Sequence, residues 1–153
     1  MRDCLPPREP APHAGRYHVA GGPWPLYGAL DEPTVWAEWA RATSGGVRPE
    51  DDPRSLCRFT VDLQLIDLRD PKVRNALGVT IEALVADWTD SSPNQACLIV
   101  ARRAAELGAD GFVVPSAARS GAWCVHVMPS AFPKLRTARR RAAIPAPPPD
   151  VAL

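Results

Sequence analysis

Arg16, Tyr27 and Glu38 stand eleven residues apart, and Ser116 follows a short apolar run far along the chain. Together they supply a guanidinium, a phenol, a carboxylate and a hydroxyl. An arginine fork pairs phosphate oxygens bidentately and keeps its charge, and a carboxylate opposes developing positive charge. Taken singly, each residue has a plainer reading. Arg16 reads as a surface strand residue and Tyr27 as a core tyrosine. Glu38 reads as a solvated helix charge, and Ser116 as a turn serine bonding its own backbone. Ser116 is not read as a hydrolase nucleophile, because no Gly-x-Ser-x-Gly elbow surrounds it.

The elements that must position these groups follow from local pattern. Phe112, Val113 and Val114 predict a short buried strand, and Pro115, which has no N–H to donate, predicts its end just before Ser116. A second strand is expected over residues 123–127. The helix that leads in is predicted to be capped by Ser92, with Pro93 at its first position and Gly108 at its end. Ala96, Ile99, Val100, Ala104 and Leu107 form its expected buried face. Residues 15–18 are expected to open the first ordered strand, and residues 26–30 a short one. Asp31 predicts the cap of a helix over residues 33–42, with Val35, Trp36, Trp39 and Ala42 as its apolar stripe. Glu38 lies off the centre of that stripe and can reach a cleft edge. Residues 57–68 alternate, which predicts one half-buried strand with Phe59, Val61, Leu63 and Leu65 inward. Asp70 and Pro71 start a short helix closed by Gly78, and Thr80 caps another through Val85. After Met128 the pattern dissolves. This mixture predicts an α+β fold.

The chain has 153 residues and a net charge of +1, enough for one compact domain with a real core and no electrostatic call for a nucleic-acid or membrane partner. Cys4, Cys57, Cys97 and Cys124 lack Cys-x-x-Cys spacing, so no metal site and reduced thiols are expected. No apolar run is long enough to span a bilayer, and the first residues lack the apolar region of a signal peptide, which predicts a cytoplasmic protein. The chain has 18 prolines, about twice the usual frequency, and four of them crowd each end (Pro6, Pro7, Pro10 and Pro12; Pro145, Pro147, Pro148 and Pro149). Residues 1–14 are expected to be a poorly ordered proline-rich segment, residues 15–135 the folded domain, and residues 136–153 a basic, then proline-rich, flexible tail. The basic run through Lys134, Arg136 and Arg139–Arg141 reads as a solvated tail, or else as a weak docking patch for nucleic acid or a partner.

The segments Gly15-Arg16-Tyr17, Leu26-Tyr27, Trp36-Ala37-Glu38 and residues 108–116, in this order and spacing, resemble the RES domain family, named for an arginine, a glutamate and a serine. The resemblance covers residues 15–128 and implies an ADP-ribosyltransferase-like mixed sheet core flanked by helices. It further implies a toxin of a toxin–antitoxin pair that acts on NAD as substrate, without a metal, and splits the nicotinamide–ribose bond by phosphorolysis or hydrolysis. A protein ADP-ribosyltransferase and a non-catalytic RES-like binding module are the alternatives. The implied partner is a cognate helix-turn-helix (Xre-like) antitoxin, so nucleic acid would be met only through that partner, and a homo-oligomer is compatible. Under this resemblance Arg16 clamps the pyrophosphate and Glu38 opposes the ribosyl cation. Tyr27 walls the nicotinamide pocket, Ser116 orients the ribose or amide, and Tyr17, standing where the family often has tryptophan, joins Arg16, Tyr27 and Ser116 in holding the dinucleotide.

Overall fold

The computed structural model describes residues 5–6, 9–42, 56–87 and 94–141. In chain order its elements are β1 (Leu26–Ala29), α1 (Glu32–Ala42), β2 (Leu56–Thr60), β3 (Leu65–Asp67), α2 (Pro71–Leu77), α3 (Ile81–Val85), α4 (Gln95–Glu106), β4 (Gly111–Pro115), β5 (Trp123–Val127), a 3₁₀ helix (Pro129–Lys134) and β6 (Arg136–Arg141). The fold is α+β, as the pattern predicts. A four-stranded mixed sheet runs β1-β5-β4-β3, and β2 pairs with β6 in a separate ribbon. β4 lies antiparallel to β5 and parallel to β3. A parallel pair needs a long crossover, which α2, α3 and α4 provide.

Burial explains the order of the strands. All five residues of β4 are buried, which fits its continuous apolar run in a covered central strand. Leu68, Leu84, Cys97, Val100, Phe112, Val114 and Tyr17 pack into the main core, and burying each large side chain contributes roughly 1.5–3 kcal/mol. A smaller cluster of Val127, Ala131 and Leu135 is flanked by Phe59 and Phe132.

The caps follow the chemistry of their residues. Asp70 accepts from Lys72 N at the start of α2, and Gly78 closes that helix at φ 66°, where a side chain would be strained. Thr80 accepts from Ala83 N at the start of α3.

Several expectations are corrected. The alternating run over residues 57–68 is two strands in two sheets, with Val61 43% exposed. The backbone breaks because Gln64 and Asp110 lock together, Asp110 N donating to Gln64 O and Gln64 N to the Asp110 carboxylate. β3 is thereby fixed beside β4, while β2 turns away to β6. The cap of α4 is Asn94, whose Oδ1 accepts from Cys97 N; Ser92 and Pro93 lie outside the described residues. Its buried face is Cys97, Val100 and Ala104, and Ile99 and Leu107 are 40% and 64% exposed. Spacings of three and four from Cys97 define that stripe; Ile99 points away from it, toward the opposite side of the helix, and Leu107 lies past the last turn. Residues 15–18 form a turn held by one bridge between Gly15 and His18, not a strand. Residues 136–141, expected in a tail, form β6. Within the expected proline-rich segment, Ala11 is buried and exchanges backbone hydrogen bonds with Gly21 and Gly22. Cys57 is disulfide-bonded, against the expectation of reduced thiols, whereas Cys97 and Cys124 are free. No helix among the described residues is long and apolar enough to cross a membrane.

Candidate functional site

Glu38 and Ser116, 78 residues apart, meet directly: Ser116 Oγ donates to Glu38 Oε1 at 2.6 Å. The backbone N–H groups of Ala117 and Ala118 reach the same oxygen at 3.0 and 3.3 Å, and the Cys124 thiol lies 3.6 Å away. Every hydrogen bond of this carboxylate to a described residue falls on Oε1. Ser116 Oγ in turn accepts from Ala118 N and Arg119 N. The plain reading of a turn serine therefore holds as well, and the hydroxyl both shapes its turn and anchors Glu38.

Two elements hold this junction in place. α1 carries Glu38, and Asp31 Oδ1 caps it by accepting from Thr34 N at 2.9 Å and Thr34 Oγ1 at 2.8 Å. Arg119, in the serine turn, donates to Asp31 and to Thr34 Oγ1. The turn is thus tied to α1 at two points, the helix start and Glu38.

Glu38 borders a cavity of about 670 Å³ that is also lined by Arg16, Tyr17, Tyr27, Trp24, Trp39 and His126. Arg16, Tyr17, Tyr27 and Glu38 thus share one wall system, while Ser116 lies behind it and contributes through Glu38, with its neighbours Pro115 and Ala117 on the lining. The volume is ordinary for a small-molecule or cofactor site.

Strand register builds an aromatic wall. Tyr27 on β1 stands opposite His126 on β5, and His126 opposite Phe112 on β4. Tyr17 and Tyr27 each meet the His126 ring edge-on, with centroids 4.4 Å away. Burial pushes the His126 imidazole down to about 3, aided by the positive charge of Arg16 and by His18, so the ring is neutral near neutral pH. Its Nδ1, the Tyr17 hydroxyl and His18 Nε2 are buried with no hydrogen-bond partner among the described residues. Tyr17 belongs to the main core while touching the cavity, and burial raises its phenol far above the usual range. Tyr27 is 42% exposed, yet its hydroxyl shares a 2.7 Å hydrogen bond with His18 Nδ1 and accepts from Tyr17 N. Burial pushes that phenol up to about 12. A Cβ on Gly15 would collide with the His18 ring, which would have to shift from its hydrogen bond with Tyr27.

Arg16 is placed differently from expectation. It sits in a turn, and its Nη1 donates to Leu84 O at 3.0 Å and Ala86 O at 2.7 Å. Asn94 Nδ2 grips Ala83 O and the same Ala86 O. The end of α3 therefore pins one arm of the fork. Sequence reasoning missed His126, Arg41, Trp24 and Cys124 as cavity residues. His126 carried a signal, a polar residue at an inward position of an otherwise apolar strand. Among the described residues, no group of His, Cys, Asp or Glu is arranged to hold a metal ion.

The RES domain model matches residues 2–150. A probable NAD(+) phosphorylase of Mycobacterium tuberculosis is 35% identical over 145 residues, or 94% of this chain; the chain spans 66% of that relative's own length. A chain from the crystal structure of the M. tuberculosis MbcT–MbcA toxin–antitoxin complex superposes with a TM-score of 0.65 at 22% identity, covering 88% of this chain and 74% of that one; at this identity the likeness speaks to the fold. With the family match spanning nearly its whole length, the chain belongs to the RES domain family.

Proposed function

We propose that this chain consumes NAD by breaking the bond between nicotinamide and ribose, passing the ADP-ribosyl group to phosphate or water. The carrying observation is the Glu38 carboxylate, with all its hydrogen bonds to described residues on Oε1, at the edge of an aromatic-walled cavity that also holds Arg16. When the glycosidic bond breaks, its electron pair goes to the pyridinium nitrogen and nicotinamide leaves neutral. No strong general acid is needed. Positive charge develops at the anomeric carbon, as in glycoside cleavage, and phosphate or water captures it and sheds a proton. Oε2 of Glu38 opposes that charge or bonds a ribose hydroxyl, an interaction that strengthens toward the transition state. Ser116 and the two N–H groups hold the carboxylate in place. Tyr27 and its neighbouring rings wall the nicotinamide, and a neutral His126 adds no repulsion toward the cationic ring. Arg16 faces the pyrophosphate with the part of its fork not used by Leu84 and Ala86.

The relative named as a probable NAD(+) phosphorylase favours phosphate as acceptor. The structural neighbour, a chain from a toxin–antitoxin complex, favours an antitoxin partner, a helix-turn-helix protein met in the cytoplasm. The test is to incubate the purified chain with NAD, with and without inorganic phosphate. A phosphorylase yields nicotinamide and ADP-ribose phosphate only with phosphate, and a hydrolase yields ADP-ribose in both. Absence of nicotinamide release in both arms would refute transfer to phosphate or water and leave a protein ADP-ribosyltransferase or a binding module.

A further inference from the structure

His18 has no part in the cleavage scheme above, yet it sits where the cavity wall is fixed. It lines the cavity beside Trp24 and Tyr27, and its Nδ1 lies 2.7 Å from the Tyr27 hydroxyl. From this contact we infer that His18 is a positioning residue: it holds the Tyr27 phenol in the wall that meets the nicotinamide, and the missing side chain of Gly15 makes room for it. The nature of the ligand rests on the NAD reading above; the link from Gly15 through His18 to Tyr27 rests on the geometry.

Three observations carry it. First, Tyr27 depends on contacts at its far end. It stands on β1, the edge strand of the sheet, and is 42% exposed. Its hydroxyl meets Tyr17 N at 3.4 Å and His18 Nδ1 at 2.7 Å, so His18 makes the shorter and stronger of the two bonds. A phenol offers one donor and two acceptor directions, and one direction remains for a ligand. Second, His18 is itself held. Gly15 N donates to His18 O at 2.9 Å and His18 N to Gly15 O at 3.4 Å, while Trp24 packs on the imidazole with centroids 5.2 Å apart. Third, Gly15 supplies space and not backbone freedom. It has no positive φ, so alanine suits its backbone. A Cβ there would nevertheless collide with the His18 ring and come within 3.0 Å of the Tyr27 hydroxyl. The ring is the end of a side chain and can swing aside, so Gly15→Ala breaks the link while leaving both partners in the sequence.

Titration calorimetry of the full chain with nicotinamide and, separately, with ADP-ribose, which lacks the nicotinamide end, tests this. His18→Leu is expected to weaken nicotinamide binding about fivefold, the usual loss for one neutral hydrogen bond, and to leave ADP-ribose affinity unchanged. His18→Asn, whose side-chain amide stands where Nδ1 does, restores part of the loss. Gly15→Ala is expected to show the same selective loss, and it reports even where His18→Leu fails to fold. Tyr27→Phe keeps the ring and drops the hydroxyl. Beside it, His18→Leu and Gly15→Ala are expected to have no further effect, because His18 acts through that hydroxyl. A His18→Leu loss that persists in full beside Tyr27→Phe would make the imidazole a direct ligand contact and overturn the positioning role. Equal losses for the two ligands, wild-type nicotinamide affinity in a folded His18→Leu or Gly15→Ala, or no nicotinamide binding by the wild-type chain would overturn it as well. Nicotinamide release from NAD separates the two readings. Release with nicotinamide affinity untouched by His18→Leu removes only the positioning role. His18-dependent nicotinamide binding without release removes only the cleavage.

Discussion

Two carboxylates occupy polar junctions between distant segments, and they are held in opposite ways. Asp110, 7% exposed, presents both oxygens to Lys134 Nζ at 2.7 and 2.8 Å and also accepts from Gln64 N. The Lys134 hydrogen bonds, then the Gln64 N–H, hold its carboxyl below the usual range. Glu38 forms no ion pair with a described residue; a hydroxyl, two amides and a thiol all converge on Oε1. Asp110 joins β3, β4 and the 3₁₀ helix, and a full countercharge completes its contacts. Among the described residues only dipoles hold Glu38, and its other oxygen takes no hydrogen bond. A carboxylate fixed without a countercharge beside a cavity keeps its field available to a cation that arrives there, which a purely structural ion pair does not.

The sharpest way to break this contrast is to remove the charge on each side. Glu38→Gln keeps the shape and an oxygen for the serine turn. Loss of one such electrostatic group lowers turnover about a hundredfold or more, measured as nicotinamide release at saturating NAD. Wild-type turnover would end the assignment of Glu38. Next in size is Ser116→Ala. It removes the 2.6 Å hydrogen bond and leaves two amides on Oε1; one lost hydrogen bond to a charged group predicts about a tenfold fall in kcat. Because Ser116 does not line the cavity, KM for NAD is expected to hold. A rise in KM with unchanged kcat would instead make Ser116 a direct substrate contact.

These residues also mark what sequence can reveal. The buried strand before Ser116, the Asp31, Asp70 and Thr80 caps and the Gly78 stop were readable, because apolar runs and capping side chains act within a few residues. The division of residues 57–68 was not, since it depends on Asp110, which lies 46 residues beyond Gln64. The alternation of Phe59, Val61, Leu63 and Leu65 reports which faces are apolar, not which partner strand each half finds. The meeting of Glu38 with Ser116 followed from family resemblance, and no local rule would have paired them. A polar His126 in an apolar strand was visible in the sequence, but only the strand register that sets it opposite both Tyr27 and Phe112 reveals that it lies in the aromatic wall. Arg16 was likewise tied to a distant segment, through the carbonyls of Leu84 and Ala86, which carry no sequence signature of a site.

Asp110→Asn tests the structural side of the contrast. It is expected to lower the melting temperature by on the order of a few degrees while kcat and KM stay at wild-type values. The sign of the pH dependence follows from a folded-state pKa held below the ordinary 3.8. The unfolded chain binds the proton first as pH falls, so the stabilisation is complete above about pH 4 and is lost as pH drops through the lower folded value. The melting curves of wild type and Asp110→Asn should therefore converge in acid. A constant gap down to pH 2 would mean that packing, not the charge, separates them.

The smallest effect is expected where Glu38 meets its weakest donor. Cys124 is buried, and burial, followed by the charge of Glu38, pushes its thiol up to about 12. It therefore remains a protonated, weak donor at neutral pH. Cys124→Ser replaces it with a better donor on a shorter reach, while Ser116 and the two amides remain. Turnover should change by less than about threefold, since the three stronger bonds already fix Oε1. Alkylation by iodoacetamide at pH 8 should be slow in the wild-type chain, because the thiolate is scarce. A Cys124→Ser variant that lost turnover as fully as Glu38→Gln would show that the thiol, and not the serine turn, sets the aim of the carboxylate. The contrast with Asp110 would then rest on a sulfur contact rather than on a cradle of hydroxyl and backbone dipoles.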